Sequence, residues 1–468
     1  IGYDALGGAI AGGEYNVAIG NYSLDANTTG DFNVGLGYST LTSNTTGTGN
    51  NAIGPNALSA NTTGSYNNAI GLATLLSNTT GGWNTANGYN ALNTNTTASG
   101  NTGLGAFALR YNTTGGGNTS VGYKSLQSNT TGTRNIAFGY QAYDAADTEN
   151  DNLAIGYDAL GGSIAGGEYN VAIGNYSLDA NTSGDENVAV GYGSLGANTT
   201  GKGNTAIGSE GLKVNTTGDY NTASGSWALH SNTTGDGNTA IGSEALKANT
   251  TGTQNVATGA EALKANTTGS YNTATGLQSL YANTTGSSNT ATGIFSLNAN
   301  TTGEKNTATG YSLYANTTGD ENVAMGYDAL AANTTASYNV AIGNLALGDA
   351  NRTADANAYN TALGYKAGNT GSNDITTGDN NVLIGAMTTA SQAAASNQIV
   401  IGSGADGHGD NIAVIGNENL NAIHPGTDNS VDLGSSSYEY KNLYVDGVAY
   451  LDAIGMGSVA MTLPTADG

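Results

Sequence analysis

The sequence predicts an all-β protein, and more specifically a parallel β-solenoid in which each coil is one short sequence repeat. Three observations predict this fold. An asparagine-headed motif returns about every 17 residues, a leucine keeps the same place in nearly every repeat, and glycine makes up 73 of 468 residues. The glycines do not recur at every third position and only 3 prolines are present, which excludes a collagen triple helix.

The repeat begins with Asn-x-(Ala/Gly/Ser/Leu)-x-Gly, first at Asn16 and last at Asn381. Of the 21 intervals between successive motif asparagines, 17 are 17 residues long. With this asparagine as position 0, alanine is usual at position 2, an apolar or β-branched residue at 3, glycine at 4 and leucine at 8, and Asn-Thr-Thr-Gly begins at 11. A disordered tract has no reason to keep these residues in phase, so the pattern indicates a folded tandem array.

Each coil is predicted to contain two short strands and two turns, because 17 residues are too few for a pair of helices. Equivalent residues of successive coils then stack about 4.8 Å apart, and about 24 coils make a rod on the order of 115 Å long. Glycine and asparagine are expected at corners with positive φ. Asparagine and leucine are expected to form ladders along the stack, as at Asn16, Asn170, Asn238, Leu24, Leu178 and Leu246.

The regularity of the repeat divides the chain into three predicted segments. Residues 1–340 form a regular solenoid shaft, residues 341–416 form irregular coils with longer loops, and residues 417–468 form a non-repetitive C-terminal β segment. Insertions in a solenoid project from its surface, so the loops at 349–359 and 366–379 are candidate recognition loops.

One coil buries little apolar surface, because positions 3 and 8 alone carry large apolar side chains regularly. A single chain would therefore have a thin core and poorly protected faces. Closed association with identical chains relieves this, and we predict a parallel homotrimer.

Composition excludes several classes of function. The formal net charge of −24 excludes a basic nucleic-acid binder, and the absence of cysteine excludes disulfide frameworks and thiolate metal sites. No apolar run is long enough for a membrane span. His230, His408 and His424 are remote in sequence, and the carboxylates beside the repeat asparagines vary between coils. We therefore expect no catalytic site, no metal and no cofactor.

Asn-(Val/Thr)-Ala-Ile-Gly-x-x-(Ala/Ser)-Leu, which begins at Asn16, Asn170, Asn238 and Asn339, resembles the head repeats of trimeric autotransporter adhesins. The resemblance covers roughly residues 1–416 and implies a left-handed parallel β-roll that trimerises and binds surfaces. The Asn-Thr-Thr-Gly loop departs from the usual, slightly shorter repeat of that family.

The stretch from Asp432-Leu433-Gly434 through Tyr438 to Gly447 is similar to the segment that precedes the C-terminal chaperone of bacteriophage tail fibres. This resemblance implies a non-enzymatic structural fibre of a phage tail that mediates or presents attachment to the host surface. Its partners would be further copies of itself, a host-surface glycan or protein receptor and other tail or filament components. It would lie in the virion tail fibre or on the cell exterior.

Two alternatives remain open from the sequence. The first is a bacterial trimeric surface adhesin or extracellular filament protein. The second is an ice-binding β-solenoid, in which threonines stacked on a flat face order water. The threonines at positions 12 and 13 lie in a turn bounded by glycine, which argues against a flat face there.

Tyrosine is the commonest aromatic residue, with 27 copies against 4 phenylalanines and 2 tryptophans. Several tyrosines directly precede the repeat asparagine and are candidate contacts to a receptor or glycan. The same rings could instead cover gaps between chains of a trimer. The candidates are Tyr15, Tyr66, Tyr169, Tyr220, Tyr271 and Tyr338.

The Asn-Thr-Thr and Asn-Thr-Ser loops also match the acceptor sequence for N-glycosylation, as at Asn27, Asn44 and Asn232. Glycans are expected there only if the source is eukaryotic. Otherwise these residues are expected to serve as corner ladders.

Overall fold

The computed structural model describes residues 1–8, 12–162, 166–351 and 357–423, together with residues 437, 440, 444–445, 454–456 and 459–461. The chain divides into two compact units, Ile1–Asn417 and Glu418–Gly468. Within the described residues, no helix has the length and apolar character needed to cross a membrane.

Every regular element of the described chain is a three-residue strand. The strands of the first unit are β1 Val17–Ile19, β2 Val34–Leu36, β3 Asn51–Ile53, β4 Asn68–Ile70, β5 Thr85–Asn87, β6 Thr102–Leu104, β7 Thr119–Val121, β8 Ile136–Phe138, β9 Leu153–Ile155, β10 Val171–Ile173, β11 Val188–Val190, β12 Thr205–Ile207, β13 Thr222–Ser224, β14 Thr239–Ile241, β15 Val256–Thr258, β16 Thr273–Thr275, β17 Thr290–Thr292, β18 Thr307–Thr309, β19 Val323–Met325, β20 Val340–Ile342, β21 Thr361–Leu363, β22 Val382–Ile384, β23 Ile399–Ile401 and β24 Ala413–Ile415.

The first unit is a stack of coils, each of which adds one strand to a single parallel sheet. Each strand pairs with the next one along the chain from β1 to β24, always in parallel. Equivalent repeat positions lie opposite each other, as Val17 lies opposite Val34. At about 4.8 Å per strand the sheet extends on the order of 110 Å. The predicted parallel β-solenoid of about 24 coils is confirmed.

Each coil contains one strand, whereas two were predicted. The leucine side of the coil is not extended, because Glu244 and Leu246 at positions 6 and 8 have φ of 58° and 52°. Left-handed backbone at alternate residues bends the chain too strongly for a strand. Its amides still bond to the next coil, since Leu246 N donates to Ala262 O at 3.0 Å. This side therefore joins the coils without a second sheet.

The core is a column of small side chains with one leucine in each regular coil. In the coil that begins at Asn238, Ala240, Ala245 and Leu246 are completely buried. Position 3 faces outward instead, and Ile241 there is 46% exposed. Alternate residues of a strand face opposite sides, so the alanine at position 2 faces inward and the large residue at position 3 does not add to the core.

Two columns of buried asparagines, at positions 0 and 11, bond along the stack as predicted. Asn238 Nδ2 donates to Asn221 Oδ1 at 3.1 Å and to Gly252 O at 2.8 Å. At position 11, Asn249 Nδ2 donates to Asn232 Oδ1 at 2.8 Å. The predicted ladder residues Asn16, Asn170, Asn238, Leu24, Leu178 and Leu246 all lie in the asparagine and leucine columns.

The corners use glycine in the predicted way but do not use the repeat asparagines. Gly242, at position 4, has φ of 133°, and positive φ recurs at positions 6, 8 and 16. The asparagines at positions 0 and 11 are not among the residues with positive φ. Their role is to satisfy buried backbone groups through their side-chain amides, which does not require left-handed backbone.

The two predicted recognition loops differ in how much of them the structure describes. In the loop at 366–379, the Asp374 carboxylate accepts hydrogen bonds from the amides of Thr370 and Gly371 at 2.5 and 2.9 Å, and Ile375 is buried. In the loop at 349–359, residues 352–356 lie outside the described residues.

In the second unit, β25 Ile454–Met456 and β26 Val459–Met461 form an antiparallel pair. Most of the tail-fibre-like stretch from Asp432 to Gly447, and His424, lie outside the described residues.

Candidate functional site

The six candidate contact tyrosines all lie at position 16, the residue before the repeat asparagine. Each has φ between 55° and 64°, which turns the chain from the loop into the strand and leaves the ring at the surface. Tyr15 is the most exposed of the six at 72%, and Tyr338 the least at 36%. Successive candidates are at least three coils apart, or about 14 Å. The structure therefore displays them in a row and does not bring them together.

Three of these rings are stacked on an aromatic neighbour in the next coil. Tyr15 stacks on Phe32 with centroids 5.0 Å apart, Tyr66 stacks on Trp83 at 5.7 Å, and Tyr338 stacks on Tyr359 at 4.9 Å. Each stacked ring has one face covered by its neighbour, and this contact stabilises the column. The other face and the edge of the ring remain exposed.

A second aromatic column runs along positions 5 and 6, and sequence reasoning did not identify it as continuous. Five of its rings are at position 5 and two, Phe107 and Tyr176, are at position 6, and each ring contacts the ring of the next coil. Centroids of neighbouring rings lie 5.1 to 6.0 Å apart. The signal in the sequence was an aromatic residue at either position in seven consecutive coils. These residues are Tyr89, Phe107, Tyr123, Tyr140, Tyr157, Tyr176 and Tyr192.

The aromatic column ends at a groove of about 510 Å³. The coil that begins at Asn187 has glycine at both surface positions 6 and 9, namely Gly193 and Gly196. The coils on either side carry large side chains at those positions, so the two glycines open a notch one coil high. Its lining includes Tyr176, Asp179, Tyr192, Gly193, Gly196 and Lys213.

Carboxylates approach the groove from the side of the aromatic column. Burial raises the pKa of Asp179, and the nearby carboxylates of Asp158 and Asp144 raise it further. Burial also raises the pKa of Asp144. The described residues donate no hydrogen bond to the Asp179 carboxylate.

On the other side of the groove, positions 6 and 9 carry a ladder of paired charges. Glu210 accepts a hydrogen bond from Lys213 Nζ at 2.8 Å. Further along the stack, Lys264 Nζ lies 2.8 Å from Glu244 and 2.7 Å from Glu261, and these hydrogen bonds raise the pKa of Lys264. Such surface pairs add little stability each, so the ladder mainly fixes the positions of its side chains.

The histidines do not form a constellation. His230 stacks on Trp227 with centroids 4.7 Å apart, lies 3.5 Å from Glu210, and has its pKa lowered by burial. His408 is exposed on a distant coil. Among the described residues, no three His, Asp or Glu side chains are arranged to hold a metal ion.

The asparagines of the glycosylation sequons are buried. Asn27 Nδ2 donates to Gly30 O at 3.1 Å, Asn44 Nδ2 donates to Asn27 Oδ1 at 3.0 Å, and Asn232 Nδ2 donates to Asn215 Oδ1 at 2.8 Å. A glycan is attached to this same nitrogen. Glycosylation and this packing therefore exclude each other.

Comparison with known proteins gave no relative from which a function could be transferred: no family model and no curated protein matches this sequence.

Proposed function

We propose that this chain is a non-enzymatic structural fibre that associates with itself side by side and holds or presents a surface for attachment to a host. The phage tail fibre is the form of this function that we favour, and a bacterial surface adhesin or extracellular filament is the nearest alternative. In both, the fibre would be a parallel homotrimer exposed outside the cell or on the virion.

The observation that supports this proposal is the outward face of the sheet. Positions 1 and 3 of β1 to β24 supply 48 outward side chains, and none of them is charged. Charged residues make up 10% of the chain, so about five would be expected there by composition alone. Depletion of charge over a long and partly apolar face is typical of a protein interface.

The occupant that fits this face is a second copy of the same chain. The face is as long as the whole stack, on the order of 110 Å, and its outward rows repeat at the strand spacing. An identical chain offers the same length and the same spacing. Three parallel chains related by a three-fold axis cover all three faces at once and leave none exposed.

Sedimentation equilibrium tests this association. We expect a particle mass near three times the 46.5 kDa chain. The double variant Ile207→Lys/Ile241→Lys places two charges on the outward face, and association would bury both of them. It should sediment as a monomer, because unpaired charges are costly at an interface. The matched control Gln254→Lys adds a charge at exposed position 16 and should remain a trimer. A monomeric wild type, or a trimeric double variant, would overturn the proposal.

The ice-binding alternative gains support from one feature of the same face. In β16, β17 and β18 both outward positions are threonine, which gives two adjacent rows. By contrast, the position 12 threonines use their hydroxyls in the stack, since Thr250 Oγ1 donates to Thr267 O at 3.0 Å. Thermal hysteresis in the wild type that is lost in Thr290→Tyr would favour ice binding. Hysteresis in neither protein would remove this alternative.

A further inference from the structure

The groove beside Gly193 has the features of a small-molecule site. Its volume of about 510 Å³ falls within the usual range for ligand pockets. The groove arises from a feature of one coil, because no other regular coil has glycine at both position 6 and position 9. A Cβ added at Gly193 would meet no atom within 4 Å. The empty height equals one coil, about 4.8 Å, which is close to the thickness of a pyranose ring.

The aromatic wall of the groove presents an uncovered ring. Tyr192 is the last ring of the column, is 54% exposed, and meets Tyr176 edge to face at 86°. The next coil has Ser209 and Glu210 at the positions that would continue the column. A sugar ring can lay its C–H groups against such a tyrosine.

The polar groups of the groove suit hydroxyl groups. Asp179 offers carboxylate oxygens that accept no hydrogen bond from the described residues, and hydroxyls are donors that can satisfy them. Lys213, on the opposite wall, already bonds Glu210 and has donors left for a ligand oxygen.

The charges around the groove select against anionic ligands. Asp144 and Asp158 lie near Asp179 and make this side negative, which repels an anion. Lys213, on the opposite wall, is already paired with Glu210 and therefore does not offset this negative charge. The arrangement therefore disfavours an anion, and the Asp179 carboxylate favours a ligand that brings hydroxyl donors.

We propose that this groove binds a neutral saccharide, with one sugar ring seated over Gly193 between Tyr192 and Lys213 and a hydroxyl donating to Asp179. The site deepens the proposed attachment function and rests on it. In an assembled fibre each chain contributes one such groove, so weak single contacts would combine by avidity.

The test uses the full chain with cellobiose and N,N′-diacetylchitobiose as neutral probes and 3′-sialyllactose as an anionic probe, measured by saturation-transfer NMR and isothermal titration. We expect at least one neutral disaccharide to bind with a millimolar or lower Kd, and the sialylated probe to bind more weakly or not at all. No binding of either neutral probe at tens of millimolar, or tighter binding of the anionic one, would overturn the proposal.

Gly193→Gln fills the groove and keeps the backbone, because Gln278 occupies the same repeat position with φ of 52°. We expect it to weaken binding at least about tenfold. Gly237→Gln is the matched control: it makes the same change at position 16, where Gln254 has φ of 54°. This control should bind like the wild type. Equal binding by Gly193→Gln and the wild type would place the saccharide elsewhere.

Sedimentation of the same samples separates the two proposals. Trimers that bind no saccharide would remove the groove as a site and leave the structural fibre. Monomers that bind the neutral probe at Gly193 would remove the proposed assembly and leave the site.

Discussion

At the scale of single residues, one irregular coil shows how strictly the columns constrain one another. Tyr143 replaces the usual leucine and is completely buried, and its hydroxyl accepts a hydrogen bond from Asn152 Nδ2 at 2.7 Å. The same coil has Ala146 in place of the position 11 asparagine, which leaves Asn129 Oδ1 buried without a partner. The larger ring and the smaller alanine occur together, so a change in one column is accompanied by a change in its neighbour.

The leucine column carries a conformational requirement as well as an apolar one. Leu246 is fully buried with φ of 52°, a left-handed conformation that costs an ordinary residue about 1–2 kcal/mol and is worse for a β-branched one. We expect Leu246→Ile to lower the local free energy of opening by about 2 kcal/mol more than Leu246→Met, although isoleucine and methionine are similarly apolar.

Hydrogen exchange of the backbone amide of residue 246, which donates to Ala262 O, measures this opening directly. Leu246→Met is the control, because it keeps an unbranched Cβ at similar volume. Equal exchange rates in the two variants would show that the backbone at this position relaxes and that burial alone matters.

At the scale of the element, the joint between strand and corner depends on close backbone contact between coils. Position 4 glycines stack directly on one another, and a Cβ on Gly242 would lie 2.5 Å from Gly259 O. The φ of 133° at Gly242 is also one that only glycine adopts readily. Both facts explain why glycine recurs there at every turn of the regular stack.

We expect Gly242→Ala to destabilise its coil by about 3 kcal/mol or more, because the methyl group forces neighbouring backbones apart. Gly237→Ala is the matched control: its φ is 65° and its new Cβ would lie 3.6 Å from Gln254 Cγ, so we expect a cost of about 1 kcal/mol. The urea midpoint of unfolding compares the two. A similar midpoint for both variants would contradict the importance of the stacked glycines.

At the scale of the whole molecule, charge is distributed unevenly. The chain carries a formal charge of −24, yet the outward face of its sheet carries none. The carboxylates of the described coils lie on other faces and in the loops, where most are at least partly exposed to water, although Glu149 is buried. Side-by-side association would therefore bury uncharged surface while it concentrates negative charge around the particle.

This distribution predicts how the proposed trimer responds to salt. The screening length falls from about 30 Å at 10 mM salt to about 8 Å at 150 mM. We expect the apparent association constant at 10 mM salt to be lower by about tenfold or more, because the repulsion between chains is then unscreened. Sedimentation equilibrium at the two salt concentrations measures it. Stronger association at low salt would indicate that ion pairs, and not the uncharged face, hold the chains together.

The sequence by itself determined the solenoid, its period and its ladders, because stacking places equivalent residues in contact and this requirement appears as a repeat. Asn238 and Leu246 are identifiable from phase alone for that reason. The tertiary structure decided which side of the strand is inward, since Ala240 and Ile241 are both apolar and only the closure of the coil buries one of them. It also decided that the leucine side of each coil has residues with positive φ and does not form a strand. Finally, only the tertiary structure showed that Gly193 and Gly196 form a groove, because a missing side chain leaves a groove only where the neighbouring coils carry larger side chains.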